Sequence, residues 1–435
     1  MLPFMTLLGL AVLAAAAPFD CSFNFSYPRQ YVAYKTDGPL ALDGNLEKPV
    51  WQEVAWTERF VDISTATLPR LATHAKIRYD DTFLYVAALL EEPQAFANIT
   101  ARDTCHCNTT TADQVVFHDN DFEIFVDAPG TTHFYKEYEM NALNATWDLQ
   151  LNRPYDDGGS ENSSRVLGSA GWDYALPVGR PSTLHAAARV QGAVNNPAAG
   201  SSSWSVEVAL PLAKLAENTP AAGQPVAHGT FWRINFSRVE WAVEVVGGRY
   251  WKRPSCQSCP VPGAGNEGAC GRRGPCSYPP PSSLRPSLPH SIPSAPSPPL
   301  PADNWVWSPQ GSIAMHLPEK WGMLQFAEGA VNATAPAWNA EWPVRAAAAA
   351  VYYAQHAYAG AHNGSFTSTP SDLVPYLDSP DIVDGTCTQG RPVALAAYVD
   401  PATGAPRFNA SVPPSSVGSP TARASINELR YLLVA

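Results

Sequence analysis

The sequence is poor in basic residues and contains no basic stripe. Its 435 residues include 28 lysines and arginines against 39 aspartates and glutamates, which gives a net charge of −11 at pH 7. Proteins that bind nucleic acid present a cationic surface that neutralises phosphates. The charge balance therefore argues against nucleic acid as a partner.

Long apolar runs are lacking after residue 17, so no later membrane span is predicted. Residues 1–17 form one apolar run with a leucine-rich centre and small residues at its end, which is typical of a secretory signal peptide. The run lacks the usual lysine or arginine near its start, which leaves an uncleaved anchor of minimal length as the alternative. We expect a secreted, extracellular protein with no membrane span after signal cleavage.

Two further features fit the secretory route. Nine Asn-x-Ser/Thr sequons are potential acceptors for N-linked glycans, which predicts a glycoprotein. Eight cysteines suit an oxidising compartment in which disulfide bonds form, and two of them, Cys105 and Cys107, are close neighbours in sequence.

Helical periodicity is nearly absent between residues 31 and 330. Short segments of alternating polar and apolar residues occur there instead, separated by glycine, proline and asparagine turns. This pattern predicts a mainly β fold, a two-sheet antiparallel β-sandwich of the immunoglobulin or jelly-roll kind. The predicted strand segments are 42–54, 75–90, 119–127, 138–151, 185–190, 204–212, 231–241 and 304–326.

Residues 254–303 interrupt the predicted sandwich. Their second half is dominated by proline and serine, which cannot bury a core, so we expect an exposed polyproline-like insertion. Four cysteines precede that run, and we expect them to pair among themselves; zinc is the alternative, although the C-x5-C spacing is loose for a zinc ribbon. They are Cys256, Cys259, Cys270 and Cys276.

Residues 336–435 differ from the preceding region in their sequence pattern, which predicts a small α+β C-terminal domain. Residues 343–360 begin with proline, end at glycine and carry an apolar stripe at helical spacing. Strand-like segments follow at 393–400, 407–412 and 428–434. An alanine and tyrosine stripe is more often packing than a binding device, so the sequence predicts no chemistry for this domain.

One face of the predicted sandwich is unusually polar. Within residues 121–127, the apolar Phe122, Ile124 and Val126 alternate with a second set that has three acidic members. This places the two sets on opposite faces of a strand. The second set is Asp121, Glu123, Phe125 and Asp127. The same parity on the neighbouring strands adds amides, a carboxylate and a guanidinium to the polar face. A face of this composition suits a ligand rich in hydroxyl groups, which predicts a sugar. The polar candidates are Glu123, Glu139, Asn141, Arg233 and Asn235.

Four tryptophans near the strand ends are candidate walls for such a site, because an aromatic ring stacks on the C–H patches of a pyranose. They are Trp147, Trp241, Trp305 and Trp307. Tryptophan is equally common as a core anchor. Likewise, Arg233 could instead form an internal ion pair with Glu139 or Glu240.

Several blocks in this order resemble carbohydrate-binding modules of family 9. The blocks are LDGNLEKPVW, KIRYDDTFLYVAALLEEP, HDNDFEIFVD, YEMNALNATWDL, WSVEVALPL, WRINFSRVEW and NWVWSPQGSIAMHLPEKWGMLQF. The resemblance covers residues 31–326 apart from the insertion. It implies a β-sandwich, an oligosaccharide or polysaccharide held in a slot walled by tryptophans, and structural calcium. Family members are usually attached to catalytic domains, which links them to carbohydrate catabolism and to glycan or cell-wall recognition.

Short acidic clusters at predicted strand ends offer the oxygen ligands that calcium prefers. Aspartate is also common in turns, where its side chain hydrogen-bonds to the backbone, and this explains its presence at such places equally well. The sequence predicts Asp119, Asp121 and Asp127 as calcium ligands.

Three classes of function follow. The first is non-catalytic carbohydrate binding, with no catalytic residue. The second is a hydrolase acting on O-glycosyl bonds, with Glu123 and Glu139 as the carboxylate pair, although no hydrolase motif surrounds either residue. The third is a redox module that binds haem b, with isolated methionines and histidines as axial ligands of the iron. The sequence contains no CxxCH motif, which argues against this class. Those residues are His118, His133, Met140, Met315, His316 and Met323.

Overall fold

The computed structural model describes residues 26–100, 116–159, 186–252 and 302–435. The predicted signal peptide, the cysteines at 105 and 107 and those between 256 and 276, and the proline-rich run lie outside these residues. The structure therefore does not test what the sequence predicts for these segments. Among the described residues, no helix is both long and apolar enough to span a bilayer.

The region between residues 30 and 327 is built from β-strands. Its strands are β1 (Gln30–Lys35), β2 (Val61–Asp62), β3 (Thr73–Tyr79), β4 (Phe83–Glu91), β5 (Asp121–Asp127), β6 (Tyr135–Asn141), β7 (Thr146–Leu151), β8 (Ala186–Gly192), β9 (Ser201–Pro211), β10 (Phe231–Trp241), β11 (Val243–Val246), β12 (Arg249–Lys252), β13 (Ala302–Val306) and β14 (Gly322–Ala327). The short helices α1 (Pro49–Gln52) and α2 (Leu212–Leu215) accompany them.

Twelve of these strands form one curled sheet with the order β7-β6-β5-β10-β14-β1-β3-β4-β9-β8, and β13 joins it by pairing with β10 and β2. Its two halves enclose a shared core, to which β3, β4, β5, β9 and β10 all contribute buried apolar side chains. The mainly β sandwich predicted from the sequence is confirmed. One strand departs from the antiparallel pattern, because β1 runs parallel to both β14 and β3.

The predicted segments 75–90 and 138–151 are each a hairpin rather than one strand. A side chain organises each turn: Asp80 Oδ1 accepts hydrogen bonds from the backbone of Thr82 and Phe83, and Asn141 Oδ1 accepts from Leu143 and Ala145. Such local contacts favour turns over a continuous strand.

Two other predicted strands are not continuous strands in the structure, and one of them affects the candidate site. Residues 42–54 contain α1, whose proline start and buried Trp51 replace a strand. Residues 304–326 contain β13 and β14, and the segment 307–321 between them leaves the sheet. That segment crosses the polar face and is central to the candidate site.

The C-terminal region combines a helix with a small sheet, as the sequence predicts. Helix α3 (Trp342–Ala361) packs against a four-stranded sheet of β15 (Ala394–Val399), β16 (Pro406–Val412), β17 (Ala424–Asn427) and β18 (Leu433–Val434). The predicted strand 428–434 is largely a turn. Asn427 Oδ1 accepts hydrogen bonds from the backbone of Leu429 and Tyr431, and Arg430 has a φ of 63°, which a strand does not permit.

Arg430 connects the C-terminal region to the sandwich. Its guanidinium is buried and lies 3.1 Å from the carboxylate of Asp157 and 3.2 Å from that of Glu319. Tyr352 and Tyr353 of α3 donate hydrogen bonds to the same two carboxylates. Removing one partner from a buried ion network leaves an uncompensated charge, so this contact fixes α3 firmly against the sandwich.

Candidate functional site

The polar side chains predicted on one face do lie on one face. In the β-ladders, Glu123 is opposite Glu139 and Ser237, while Arg233 is opposite Asp127. Arg233 and Ser237 are four residues apart on β10, which separates the two ends of the face by about 13 Å. We call these the acidic end, around Glu123, and the basic end, around Arg233.

The middle of the polar face is packed rather than open. Trp147 lies opposite Glu139 with the expected parity, yet it is only 3% exposed. Trp321, from the segment 307–321, packs against Phe125 with ring centroids 5.5 Å apart. Among the described residues, the expected open slot beside Trp147 is therefore replaced by an apolar cluster. Its members are Val116, Phe125, Tyr135, Trp147, Leu149, Leu151 and Trp321.

The two candidate amides hold covering segments in place. Asn235 is fully buried, and its side chain donates to the carbonyl of Ser308 and accepts from the Ser308 N–H, at 2.9 and 2.8 Å. Asn141 donates to Asp119 and to the carbonyl of Ile99, in addition to its turn contacts. Both amides thus have structural hydrogen bonds in place of the predicted contacts to a ligand.

Trp305 and Trp307 lie on the other side of the sheet. Trp305 is opposite Arg238 in the ladder between β10 and β13, and both tryptophans belong to the main core, with exposures of 4% and 0%. The prediction of these two tryptophans as candidate walls of the polar face is wrong. It depended on a regular strand over 304–326, which the structure does not contain.

The acidic end gathers three buried carboxylates. Ligand oxygens of Asp121, Glu123 and Glu139 all lie within 4.8 Å of one another. Glu139 accepts from the Phe117 N–H and Asp121 Oδ1 from the Val239 N–H, whereas the buried Asp121 Oδ2 has no hydrogen-bond partner among the described residues. Within the described ranges, none of the three forms an ion pair with a lysine, arginine or histidine within 4.0 Å.

Burial is the main influence on the protonation of these groups. It raises the pKa of Glu123 to about 7. It also raises the pKa of Asp121 and of Glu139 well above their ordinary values, with smaller contributions from neighbouring carboxylates. Burial therefore makes the ionised forms of these carboxyl groups costly, and a bound cation would offset that cost.

The predicted calcium ligands do not form one site. Asp119 Oδ2 accepts hydrogen bonds from the backbone of Asn98 and Ile99. Asp127 is at the far end of β5, about 20 Å from Asp121 at 3.3 Å per residue, and it accepts from three backbone N–H groups of the following turn. Of the three predicted ligands, only Asp121 belongs to the carboxylate cluster.

Trp241 lies near the acidic end and is half-buried. Its indole Nε1 donates to the carbonyl of Phe117, and the ammonium of Lys252 lies 4.0 Å from its ring centroid. Burial lowers the pKa of Lys252 to about 8, while Asp119 and Asp121 oppose that shift. One face of this tryptophan is thus already covered by a cation.

The basic end opens onto a cavity of about 230 Å³, which we call the Arg233 cavity. It lies between the start of β10, the turn after β5 and the first turn of α3. Its lining combines polar groups, an aromatic ring and backbone. The lining residues are Pro129, Gly130, Gly229, Thr230, Phe231, Trp232, Arg233, Met323, Asn339, Glu341 and Arg345.

Sequence reasoning found Arg233 but missed the other side of this cavity. Asn339, Glu341 and Arg345 belong to the C-terminal region, for which the sequence predicted no chemistry. They reach Arg233 only because α3 docks on the sandwich, more than 100 residues later in the chain. No local motif marks them.

The histidines and methionines considered for haem have other contacts. His133 Nε2 lies 2.7 Å from the carbonyl of Leu429, and His316 Nδ1 lies 2.9 Å from the hydroxyl of Tyr135. Met140 is fully buried in the main core. These positions favour packing over axial ligation.

Comparison with known proteins finds no matching family model and no matching curated protein. Similar solved structures include a candidate carbohydrate-binding protein from Bacteroides uniformis, with a TM-score of 0.40, 13% identity and coverage of 69% of this chain and 99% of that chain. A family 9 carbohydrate-binding module from Caldicellulosiruptor kristjanssonii has a TM-score of 0.32 in its complexes with cellotriose and with glucose. The identities are 12% and 13%, and the matches cover 71% and 70% of this chain and 100% of that chain. These scores are too low to carry an argument, so membership of family 9 stays a prediction.

Proposed function

We propose that this protein is a non-catalytic carbohydrate-binding protein and that the Arg233 cavity is its sugar site. The observation that supports this most directly is the lining, which combines Phe231 with several polar side chains around one small concave space. Sites for small polar ligands commonly have this composition, in which an apolar surface supplies contact area and a few polar groups fix orientation. The size suits one sugar ring at the end of a glycan.

Phe231 and Asn339 have the clearest roles in this proposal. Phe231 is half-buried at the start of β10 and offers a ring on which the C–H face of a sugar can stack. The Asn339 amide nitrogen has the sulfur of Met323 as its partner at 3.9 Å, and thioether sulfur is a weak acceptor. A sugar hydroxyl would be a better acceptor for that amide.

Glu341 supplies an acceptor at the rim of the cavity. Its Oε2 accepts two hydrogen bonds from Arg345, at 3.1 and 2.8 Å, and this pair fixes the carboxylate in position. The second oxygen, Oε1, can accept from a sugar hydroxyl. Together with Asn339, it would provide the convergent donor and acceptor that vicinal hydroxyls require.

Calcium is the second part of the proposal, now with Asp121, Glu123 and Glu139 as ligands. Calcium–oxygen bonds are 2.3 to 2.6 Å long, so two ligands of one ion are up to about 5 Å apart. The 4.8 Å limit on the oxygens of this cluster fits that requirement, as does the unpartnered Asp121 Oδ2. When bound, the ion would neutralise the buried carboxylates and hold β5 and β6 together, which is a structural role.

Secretion and a role in carbohydrate catabolism or in glycan recognition complete the proposal. N-terminal sequencing of the protein recovered from the medium tests the first, with cleavage near residue 17 as the expected result. An intact N-terminus in a membrane fraction would support the uncleaved anchor instead.

A glycan array followed by calorimetry on the sugars that bind tests the function itself. Phe231→Ala should weaken binding by about 1 to 3 kcal/mol, by analogy with aromatic stacking on other planar ligands. Trp251→Ala is the matched control, because Trp251 is 56% exposed on the β11–β12 hairpin and does not line the cavity. Equal losses in both variants, or no binding by the wild type, would contradict the proposal.

A reducing-sugar release assay tests the alternative of a glycoside hydrolase. Glu123 and Glu139 are close enough for a carboxylate pair, but they are 6% and 1% exposed. We expect no release. Release that Glu139→Gln abolishes would move the assignment to the hydrolase class.

A further inference from the structure

Arg233 carries a buried positive charge without a carboxylate in contact. It is 4% exposed, and its Nη1 and Nη2 donate to the carbonyls of Trp321 and Glu319, at 2.8 and 3.0 Å. Among the residues that the structure describes, no carboxylate oxygen lies within 4.0 Å of it. Its guanidinium has five N–H donors, of which these contacts use two.

The carboxylate nearest to Arg233 in the sheet is already engaged. Asp127 lies opposite Arg233 in the ladder, but its oxygens accept hydrogen bonds from the N–H groups of Gly130, Thr131 and Thr132. Asp127 therefore compensates the charge of Arg233 only at a distance. A buried guanidinium without a contacting counter-charge is costly, and a bound anion would remove much of that cost.

A second guanidinium lines the same cavity. Arg345 donates to the carbonyls of Gly130 and Pro129 and is paired with Glu341. Its charge contributes to lowering the pKa of Arg233 to about 10, after the larger effect of burial. The charged lining residues are thus two arginines and one glutamate, so the cavity has an excess of positive charge.

The start of α3 adds to this potential. Helix α3 has 20 residues, and Arg345 lies in its first turn beside the cavity. The N-terminal end of a helix carries a partial positive charge that favours anions. Two side chains and one helix end therefore act in the same direction.

We infer that the Arg233 cavity recognises the carboxylate of an acidic sugar, such as a uronic acid residue of a polysaccharide. This inference rests on the proposed function and specifies the class of sugar. A carboxylate matches the planar fork of an arginine, and the unused donors of Arg233 provide the complementary hydrogen bonds. The rest of the ring would remain with Phe231, Asn339 and Glu341.

Calorimetry with matched sugars tests the inference. The probes are glucose with glucuronate, galactose with galacturonate, and acetate as a carboxylate without a sugar. Each uronate should bind about 10 to 100 times more tightly than its neutral partner, as a hydrogen-bonded charge requires. Added salt should weaken the binding of the uronates and leave that of the neutral sugars nearly unchanged.

Arg345→Gln is the informative variant, because Arg233 is buried and its replacement could prevent folding. The variant should lose most of the preference for uronates, measured as the ratio of the affinities for each uronate and its neutral partner. This ratio is unaffected by any loss that both sugars share because Glu341 has lost its partner. Arg249→Gln is the matched control, since Arg249 is exposed on the β11–β12 hairpin and does not line the cavity. Melting curves establish that both variants are folded.

The outcomes separate this inference from the proposed function. Equal binding of neutral sugars and uronates would overturn the inference and leave the sugar site standing. Equal binding of acetate and uronates, without any binding of neutral sugars, would support recognition of a carboxylate and overturn the sugar site. Absence of binding by every probe would overturn both.

Discussion

The two ends of the polar face differ in charge and in access. Among the described residues, the acidic end holds three buried carboxylates without a cation at ion-pair distance. The basic end holds a guanidinium without a carboxylate of these residues in contact, and it opens onto a cavity. Side chains of one parity on adjacent strands thus give rise to two sites of opposite character, about 13 Å apart.

The difference shows that the covering segments, more than the sheet, decide what each end can bind. In the described part of the chain, each end holds ionisable groups of one sign without a counter-charge in contact, which is why we propose a cation at one end and an anion at the other. The end covered by α3 opens onto a cavity that has room for a sugar ring. A monatomic ion is the ligand that a sealed cluster of carboxylates can accommodate.

The largest change in stability is expected for replacement of Trp147, which lies between the two ends of the polar face. Trp147→Ala should lower the free energy of unfolding by about 3 to 5 kcal/mol, because the ring is buried in the apolar cluster that fills the middle of the face. Denaturant titration measures this change, with Trp251→Ala as an exposed control that should change it by about 0.5 kcal/mol or less. A mild loss of stability with a strong loss of sugar affinity would restore Trp147 as a wall of the site.

The next effect concerns calcium at the acidic end. Saturation of the site at about 100 times its Kd should stabilise the protein by about 2.7 kcal/mol relative to the protein in chelator. Asp121→Asn should remove that stabilisation and, in chelator, should be more stable than the wild type because it relieves repulsion among buried carboxylates. Asp81→Asn, at a carboxylate that is 87% exposed, is the control and should keep the response to calcium.

The same carboxylates give the calcium response a pH dependence. Their pKa values are raised in the folded protein, so their protonated forms stabilise it below the ordinary pKa of a carboxyl group. In chelator, stability should therefore fall as the pH rises from about 4.5 through 7. Calcium takes the place of those protons, so the stabilisation that it provides should grow over this interval. Thermal melts at several pH values, with and without calcium, measure both trends.

The smallest effect is expected at Glu341, the glutamate among the cavity-lining residues. Glu341→Gln keeps an oxygen that can accept from a sugar hydroxyl but removes a half-exposed negative charge that repels a uronate. Binding of a uronate should therefore strengthen about twofold to fivefold. Its effect on stability should be below about 1 kcal/mol. Glu328→Gln, at another exposed carboxylate outside the cavity, is a suitable control. A loss of uronate affinity would show that Glu341 acts mainly by positioning Arg345.

The sequence predicted what depends on short-range periodicity. Alternation alone placed Glu123, Glu139 and Arg233 on one face, and the hydrophobic partners of that alternation form the sandwich core. It also gave the limits of α3 to within one residue, since a proline and a glycine mark its ends.

What the sequence did not predict depends on contacts between distant segments. A regular strand over 304–326 would have exposed a tryptophan on the polar face, whereas the segment 307–321 leaves the sheet and covers it. Asn235 looked like a ligand-binding amide, but it holds Ser308. Arg345 had no recognisable signal, because its role arises from the docking of α3.

Strand β14 has a consequence for synthesis of the chain. It pairs with β10 on one side and with β1 on the other, and this pairing joins the two halves of the sheet. Residues 322–327 emerge from the ribosome almost 300 residues after β1, and pairings so distant in sequence form slowly. Until then, β1 lacks its final neighbour, and an unpaired strand edge can pair with other chains. The β1 edge therefore stays without β14 through most of translation, whereas β10 waits for only about 80 further residues.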